Sequence, residues 1–450
     1  MSKHEQQWKS KFGFVLAAAG SAIGLGAIWK LPYVAGTSGG GAFFLLFILF
    51  TVLLGYPLLV GEFAIGRRAQ ANAIGTYKKL APKTLWYLNG VMGVTTSFLV
   101  LSFYSVVGGW IILYLFQAFT GSLNGLTQDQ FGQLFGATIS NPVTALIGQI
   151  VFLLCTIIVV ARGVQQGIEK ASKIMMPALF ILFLVLVVRS LSLDGAMEGI
   201  KFLLVPNFSE ITSESILFAL GQAFFALSLG VSVMVTYSSY LPKTQNLPRS
   251  ASWIVIMNII ISLLAGLAIF PGVFTFGLEV NEGPTLIFSV LPAVFNQLPF
   301  GMLFFIAFLI LFLFAALTSA FSMLESAVAI MTRNTGEKRK RYAWIIGSLI
   351  FVVGIPSCLS YGLMADVQLF DRTFFDLVDY AVSNVLMPLG ALVTAIFITN
   401  KVSKSVLLEE LQQGSKVGII FFNIWYYLLK YLIPVAIVIV FLDVLFGVFS

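Results

Sequence analysis

Charged residues, histidine and cysteine are scarce in this sequence. Of its 450 residues only 10% are charged, against about a quarter in soluble domains, and the chain has one histidine and two cysteines. Disulfide frameworks, structural zinc sites and histidine-based catalysis therefore lack the residues they need. The chain also has no HExxH motif and no nucleophile beside a candidate base, so we do not expect an enzyme.

Long hydrophobic runs are abundant, and 59% of the residues are hydrophobic. Because a membrane-spanning helix needs about 20 apolar residues, these runs predict an all-α polytopic membrane protein with eleven spans. The spans lie near residues 12–34, 40–66, 88–119, 143–161, 174–190, 212–240, 250–277, 300–332, 343–363, 373–399 and 418–449. Segment 278–299 contains Pro284, Pro292 and Pro299, and we predict a re-entrant or capping loop on the outer side there.

The basic residues indicate which way the chain crosses the membrane. With the N-terminus inside, 21 of the 26 Lys and Arg residues fall in predicted inner loops, four fall outside and one lies in a span. The positive-inside rule therefore predicts a cytoplasmic N-terminus and an outer C-terminus in the plasma membrane. The net charge of +7 follows from this topology, so no nucleic-acid partner is expected and the lipid bilayer is the expected surroundings.

Two spans contain interruptions that ordinary spanning helices avoid. The first is the run Gly20–Gly26 in span 1, and the second is the run Ala226–Ser232 in span 6. Small residues there also suit close helix packing. However, spans 1 and 6 open two successive blocks of five, the pattern of inverted repeats with a central site between broken helices. We therefore predict one repeat over 1–190, a second over 191–400, and an additional helix within 401–450.

Several motifs resemble those of the neurotransmitter:sodium symporter family over nearly the whole chain. They are GSAIGLGAIWKLPYVAGTSGGGAF (20–43), GEFAIGR (61–67), GQAFFALSLG (221–230) and ALTSAFSMLE (316–325). The resemblance implies a LeuT-type fold of five plus five helices. It also implies a sodium-coupled symporter that imports hydrophobic L-amino acids, aliphatic or aromatic, by alternating access with at least one sodium ion.

The resemblance further implies where the sodium ions bind. The site called Na2 would use Gly20, Ile23, Ala315, Thr318 and Ser319. The site called Na1 would use Ala22 and Asn258, but Ala27 and Ala226 stand where the family pattern has oxygen-bearing side chains. The neighbouring anion position also lacks an acid, since Phe47 and Gln222 surround Ser262. We expect Na1 to be weak or absent; the alternative that Asn258, substrate and water still hold an ion stays open.

By the same resemblance, the substrate carboxylate would bind the backbone amides of Leu25 and Gly26 and the hydroxyl of Tyr104. Gly24 would leave space for that carboxylate. The rest of the substrate pocket would consist of Val100, Phe225, Ala226, Ser228, Val231, Ser319 and Met323.

The gates are also implied by the resemblance. Lys30 and Asp379 would close the outer side. Trp8, Ser239 and Tyr240 would close the inner side, with Glu5 and Arg333 as an exchanged charge pair. The start of span 5 would unwind between Gly167 and Pro177, although an ordinary loop boundary explains these two residues as well. The acids Glu62 and Glu325 are expected to accept hydrogen bonds from broken helices or to carry a counter-transported proton.

Other functions remain open from sequence. A channel is disfavoured because no continuous polar stripe is present. A substrate-binding sensor on the same fold, or a proton-assisted amino-acid exchanger, would use the same residues. The single helix beyond the repeats, where many relatives have two, leaves a monomer or a loose homodimer as the expected state.

Overall fold

The computed structural model describes residues 7–277, 285–332 and 338–446, and these are helical almost throughout. Nine helices in this part of the chain are long and apolar enough to cross a membrane. They are α3 (Gly41–Ala69), α5 (Tyr87–Phe119), α7 (Pro142–Ala161), α8 (Val164–Leu191), α12 (Leu247–Thr275), α14 (Gly301–Met331), α15 (Arg339–Leu359), α16 (Phe374–Lys401) and α18 (Ile419–Leu442).

The first span is broken as predicted. Helix α1 (Lys11–Ala22) and helix α2 (Gly26–Thr37) meet at an angle of 53° and together have the length of one span. Between them Ile23 leaves helical geometry, with φ −88° and ψ 73°. The dense small residues of this run lower the cost of unwinding, which explains why the helix breaks here.

The sixth span also consists of two halves. Helix α10 (Ser213–Phe225) and helix α11 (Val233–Ser239) have 13 and seven residues, so neither crosses a bilayer alone. Between them Ser228, Gly230 and Ser232 adopt positive φ values of 52°, 77° and 60°. A residue with positive φ cannot belong to a right-handed helix, so these three residues interrupt the span.

Span 5 begins earlier than predicted. We expected it to start near residue 174, but α8 starts at Val164 with one π-helical stretch, Val164–Glu169. Polar residues such as Gln165 and Lys170 dilute the hydrophobic signal of this first part. The remaining spans start and end within a few residues of the predicted positions.

Shorter helices lie between the spans. They are α4 (Ala73–Leu80), α6 (Gln128–Ser140), α9 (Ala196–Leu204), α13 (Leu286–Asn296) and α17 (Lys404–Gln412).

The described part of 278–299 contains the short helix α13, which is not long enough to span; the assignment of this segment as a re-entrant or capping loop stays a prediction. Pro292 comes two residues after the π-helical stretch Leu286–Val290, so the helix departs from regular α geometry where the proline lacks its N–H. Asn296 and Ser289 donate to the carbonyls of Leu123 and Gln128 at 3.0 Å each, which fixes α13 beside α6. Residues 278–284 lie outside the described residues.

The broken helices lie at the centre of the bundle. Helix α1 packs against α8, α12 and α14, and α5 packs against α7, α14 and α15. Helix α16 approaches the second break closely, because a Cβ added to Gly230 would lie 2.6 Å from the Ala391 nitrogen. The two breaks are thus enclosed by long helices that can hold side chains against them.

Candidate substrate and ion site

Helix α14 presents two hydroxyls to the break between α1 and α2. Thr318 Oγ1 donates to the carbonyl of Gly20 at 3.0 Å and lies 3.1 Å from the carbonyl of Ala315. Ser319 Oγ donates to the carbonyl of Gly20 at 3.1 Å. Both hydroxyl residues are 1% exposed, so four of the five predicted Na2 residues meet in a buried cluster, with Ile23 at the adjoining helix end.

The chemistry of this cluster suits a monovalent cation. Its oxygens belong to carbonyls and hydroxyls, which are neutral, and carbonyls released by broken helices are a known way to hold sodium at membrane depth. Among the described residues, no group of three or more His, Cys, Asp or Glu side chains could hold a metal ion. The cluster therefore offers neutral oxygens to a cation, and sodium binding there stays a prediction.

A carboxylate position adjoins the cluster at the start of α2. The Leu25 N–H donates to the Tyr104 hydroxyl at 3.2 Å, so both groups converge on one point. A Cβ added to Gly24 would lie 2.5 Å from Ser319 Oγ and 2.9 Å from the Tyr104 hydroxyl. The N-terminal end of α2 adds a partial positive charge. These features together form a small, buried and electropositive recess.

A cavity extends from this recess between the broken helices. It is lined by ten of the eleven predicted substrate residues, and Ala226 is the exception. The cavity also includes four residues that we did not predict for either site or for the gates: Ser21, Ser97, Val233 and Met387. Met387 lies on α16 and reaches the cavity because α16 packs against Gly230, whose added Cβ would overlap the helix backbone. In the sequence, the small residue Gly390 is the only sign that α16 packs closely against the second break.

Polar contacts stabilise the second break. Glu62 Oε1 accepts a hydrogen bond of 2.8 Å from the Gly230 N–H, and Ser97 Oγ donates to the Val231 carbonyl at 2.5 Å. Ser228 Oγ donates to the Ser21 carbonyl at 2.9 Å, which joins the two breaks. Glu62 therefore makes the backbone contact expected of a buried acid near a broken helix.

Two carbonyls at the breaks are bridged by one side-chain amide. Asn258 on α12 donates from Nδ2 to Ala226 O at 2.9 Å and to Ala22 O at 3.3 Å. Ala27 and Ala226, which lack side-chain oxygens, are 0% and 1% exposed. The predicted Na1 residues Ala22 and Asn258 are thus adjacent and directly hydrogen-bonded.

An ion pair lies above the cavity at one end of the bundle. Lys30 Nζ is 3.9 Å from Asp379 Oδ2 and 5.3 Å from the centre of the Phe225 ring. The two charged side chains are 26% and 35% exposed, so solvent weakens their attraction. A cavity of about 520 Å³ adjoins them, and we call this side of the bundle the Lys30 end.

At the opposite side, the Trp8 end, aromatic packing covers the site. The Trp8 Nε1–H donates to the Tyr237 carbonyl at 2.8 Å, and Trp8 is only 6% exposed. Tyr240 donates to Glu325 Oε1 at 2.8 Å, whereas the Ser239 hydroxyl donates to Thr236 O within its own helix.

The partner of Glu325 is Arg339, which we did not predict. Both side chains are almost fully buried and form a bidentate ion pair, and Arg339 Nε also donates to Val160 O at 2.9 Å. The predicted charge pair Glu5 and Arg333 lies outside the described residues. Arg339 is the first residue of α15, and Glu325 lies on α14. The pairing depends on how α15 packs against α14, which the sequence does not show.

Gly167 and Pro177 both lie within α8, and this end of the helix is wound in the structure. Nearby, Glu169 accepts hydrogen bonds from Lys9 N–H at 2.7 Å and Ser10 Oγ at 3.1 Å. The start of α8 is therefore tied to the start of α1. Unwinding between Gly167 and Pro177 stays a prediction.

Comparison with known proteins agrees with this geometry. The profile of the sodium:neurotransmitter symporter family matches residues 5–131 and 135–448. The chain belongs to this family. It is similar to the uncharacterized sodium-dependent transporter YhdH of Bacillus subtilis, with 66% identity over 444 residues that cover 99% of this chain and 98% of the relative. An uncharacterized sodium-dependent transporter of Haemophilus influenzae is 38% identical and covers 99% of both chains.

The solved structure of MhsT in complex with L-phenylalanine is similar throughout. Its TM-score is 0.91 at 43% identity, over 98% of this chain and 99% of that chain. The predicted family and the LeuT-type, all-α fold are thereby confirmed. As a member of the family, the chain is a sodium-dependent, multi-pass membrane transporter rather than an enzyme. The count of eleven spans and the repeat boundaries stay predictions.

Proposed function

We propose that this transporter imports hydrophobic L-amino acids into the cell, driven by sodium bound at Thr318 and Ser319. The observation that carries the proposal is the position of Ser319. Its hydroxyl donates to the Gly20 carbonyl in the ion cluster and to the Ser21 carbonyl, both at 3.1 Å, and it also lines the substrate cavity. One residue therefore touches both sites, so occupancy of one changes the other.

The recess and the cavity support an amino acid as substrate. The recess offers the Leu25 N–H, the Tyr104 hydroxyl and a helix N-terminus to a carboxylate, and Gly24 leaves room for it. Beyond it the cavity is lined mostly by apolar side chains, among which Met323 and Met387 can adapt to different shapes. The similarity to MhsT, solved with L-phenylalanine, supports the same class of substrate.

The two ends of the bundle support alternating access. We assign the Trp8 end to the cytoplasm, because most basic residues fall in loops on that side. The Lys30–Asp379 pair is weak and partly exposed, whereas Trp8 is buried under Tyr237. Substrate and sodium would thus enter at the Lys30 end and leave once the Trp8 contacts separate.

Uptake into proteoliposomes tests the proposal. The purified full-length protein would be supplied with labelled leucine, phenylalanine or tryptophan, with sodium outside and potassium inside. We expect accumulation above the outside concentration that disappears when potassium replaces sodium. Uptake that ignores sodium would contradict the proposal, and sodium-dependent binding without accumulation would indicate a sensor.

A matched pair of variants connects this uptake to the ion cluster. The hydroxyl oxygens of Thr318 and Thr156 both lie 3.0 Å from the carbonyl four residues earlier, but Thr156 is on α7 and makes no contact with Gly20. We expect Thr318→Val to raise the sodium concentration for half-maximal uptake about tenfold or more, because hydrogen-bond partners of charged groups contribute about 1.5–3 kcal/mol. Thr156→Val should leave the sodium concentration for half-maximal uptake unchanged.

A further inference from the structure

Side-chain amides donate hydrogen bonds to backbone carbonyls at the two breaks. Asn258, which is fully buried, donates to Ala226 O and Ala22 O, so it connects the first break to the second. Gln222 Nε2 donates to Gly26 O at 2.8 Å. The break carbonyls Ala226 O and Ala22 O therefore receive N–H donors from one side chain, whereas Gly26 O also accepts the Leu31 N–H within its own helix.

A cation would require the Asn258 amide to turn, because its Oδ1 makes no hydrogen bond among the described residues while its N–H groups face the carbonyls. A bound ion needs the Asn258 oxygen and the two carbonyls to point at it together, whereas here the amide N–H groups point at the carbonyls. The methyl groups of Ala27 and Ala226 supply no further oxygen on either side. An ion would therefore have to turn the amide around and accept fewer protein ligands than the family pattern offers.

The family's anion position beside Asn258 also carries no charge. Ser262, one turn after Asn258 on α12, is buried and neutral, and its hydroxyl has no hydrogen-bond partner among the described residues. An ion between Ala22 O and Ala226 O would therefore meet no charged side chain at position 262 and fewer protein oxygens than the Thr318 cluster offers.

We infer that this amide bridge replaces the second sodium ion of the family, so that one sodium ion accompanies each substrate molecule. The inference rests on the proposed sodium symport. Its consequence is thermodynamic. With no membrane potential, a transporter coupled to one sodium ion can concentrate a zwitterionic substrate only in proportion to the sodium ratio, whereas coupling to two ions gives the square of that ratio.

The substrate ratio at zero net flux tests the inference. Proteoliposomes would hold a tenfold sodium gradient, with the potential clamped at zero by equal potassium and valinomycin, and the inside substrate concentration would be varied. We expect net flux to vanish at a tenfold substrate ratio. A hundredfold ratio would overturn the inference while leaving sodium symport intact. A ratio of one would refute the symport proposal itself and the inference with it.

A gain-of-ligand variant sharpens the test. Ala27→Asn combined with Ala226→Thr would restore the two missing oxygen groups beside Asn258. We expect this variant to move the zero-flux ratio from tenfold toward a hundredfold. Asn258→Ala, in contrast, should slow uptake but keep the tenfold ratio, since it removes a bridge rather than an ion. A fall of the ratio to one in that variant, with Thr318 intact, would overturn the inference because it would place the coupling ion at Asn258.

Discussion

At the scale of single residues, the candidate substrate site depends on the space that small side chains leave unfilled. Gly24 lies against Ser319 and Tyr104, and the recess between them exists because residue 24 has no Cβ. Thr318 and Ser319 add hydroxyls without adding charge, which keeps the buried cluster neutral until a cation arrives. In the proposed function, the groups that recognise the carboxylate and the ion therefore lie within a few ångströms of one another.

Replacing Gly24 tests this recess directly. In Gly24→Ala the new Cβ would overlap Ser319 Oγ and the Tyr104 hydroxyl, and overpacking of this kind costs about 1–3 kcal/mol. We expect substrate affinity to fall about tenfold or more in equilibrium binding of labelled leucine. Gly136→Ala is the control, because a Cβ on that residue of α6 meets nothing within 4 Å. Equal affinities in the two variants would show that the recess does not hold the carboxylate.

At the scale of elements, the second break is held in place by neighbours rather than by its own backbone. Gly230 has a left-handed backbone conformation with positive φ. Its N–H donates to Glu62, and it lies against Gly390 of α16. Helix α16 also carries Asp379, the partner of Lys30, and the cavity residue Met387. The Lys30–Asp379 pair and the cavity therefore share one helix, with the π-helical stretch Ala381–Leu386 between them.

Substitution of Gly230 separates backbone strain from helix contact. In Gly230→Ala the left-handed φ is unfavourable, and the added Cβ would also lie 2.6 Å from Ala391 N. Gly277→Ala carries the same kind of strain, with φ 61°, but its Cβ meets nothing within 4 Å. We expect Gly230→Ala to lower the apparent melting temperature clearly more than Gly277→Ala does. Similar shifts would mean that contact with α16 contributes little.

At the scale of the whole molecule, one buried arginine joins distant parts of the chain. Arg67 at the end of α3 has no exposed side-chain surface and donates to Glu410 Oε1 at 2.6 Å and to the Gln245 carbonyl at 2.5 Å. It thereby connects α3, the segment between α11 and α12, and the short helix α17. Each of these contacts spans more than a hundred residues of sequence.

Removal of this arginine should weaken the folded bundle. We expect Arg67→Met to destabilise the protein by about 3–5 kcal/mol, because the buried Glu410 would lose its hydrogen-bonded partner and keep only Arg68, 3.8 Å away. The control Arg68→Met removes the longer, partly exposed contacts of 3.5 Å to Glu409 and 3.8 Å to Glu410, and should cost less than about 1 kcal/mol. Thermal unfolding in detergent checks both. If the two variants melt alike, Arg67 does not join the segments as argued.

The sequence by itself determined the all-α membrane class, most span positions and both breaks. Hydrophobic length and runs of small residues are local properties, so they can be recognised before the chain folds. Through family resemblance it also indicated Thr318, Ser319 and the residues around Gly24, which the fold brings together. The start of α8 at Val164 was missed because polar residues weaken the local hydrophobic signal.

Only the tertiary structure decided which distant side chains meet. Met387 in the cavity, Arg339 beside Glu325 and the amide of Asn258 between Ala22 and Ala226 all depend on how one helix is rotated against another. Sequence periodicity gives the apolar face of a helix but not its rotation against a buried neighbour, and in this bundle many helices are apolar on every side. The partners of buried polar groups are therefore fixed by packing, because each such group must find a hydrogen bond where the helices place it.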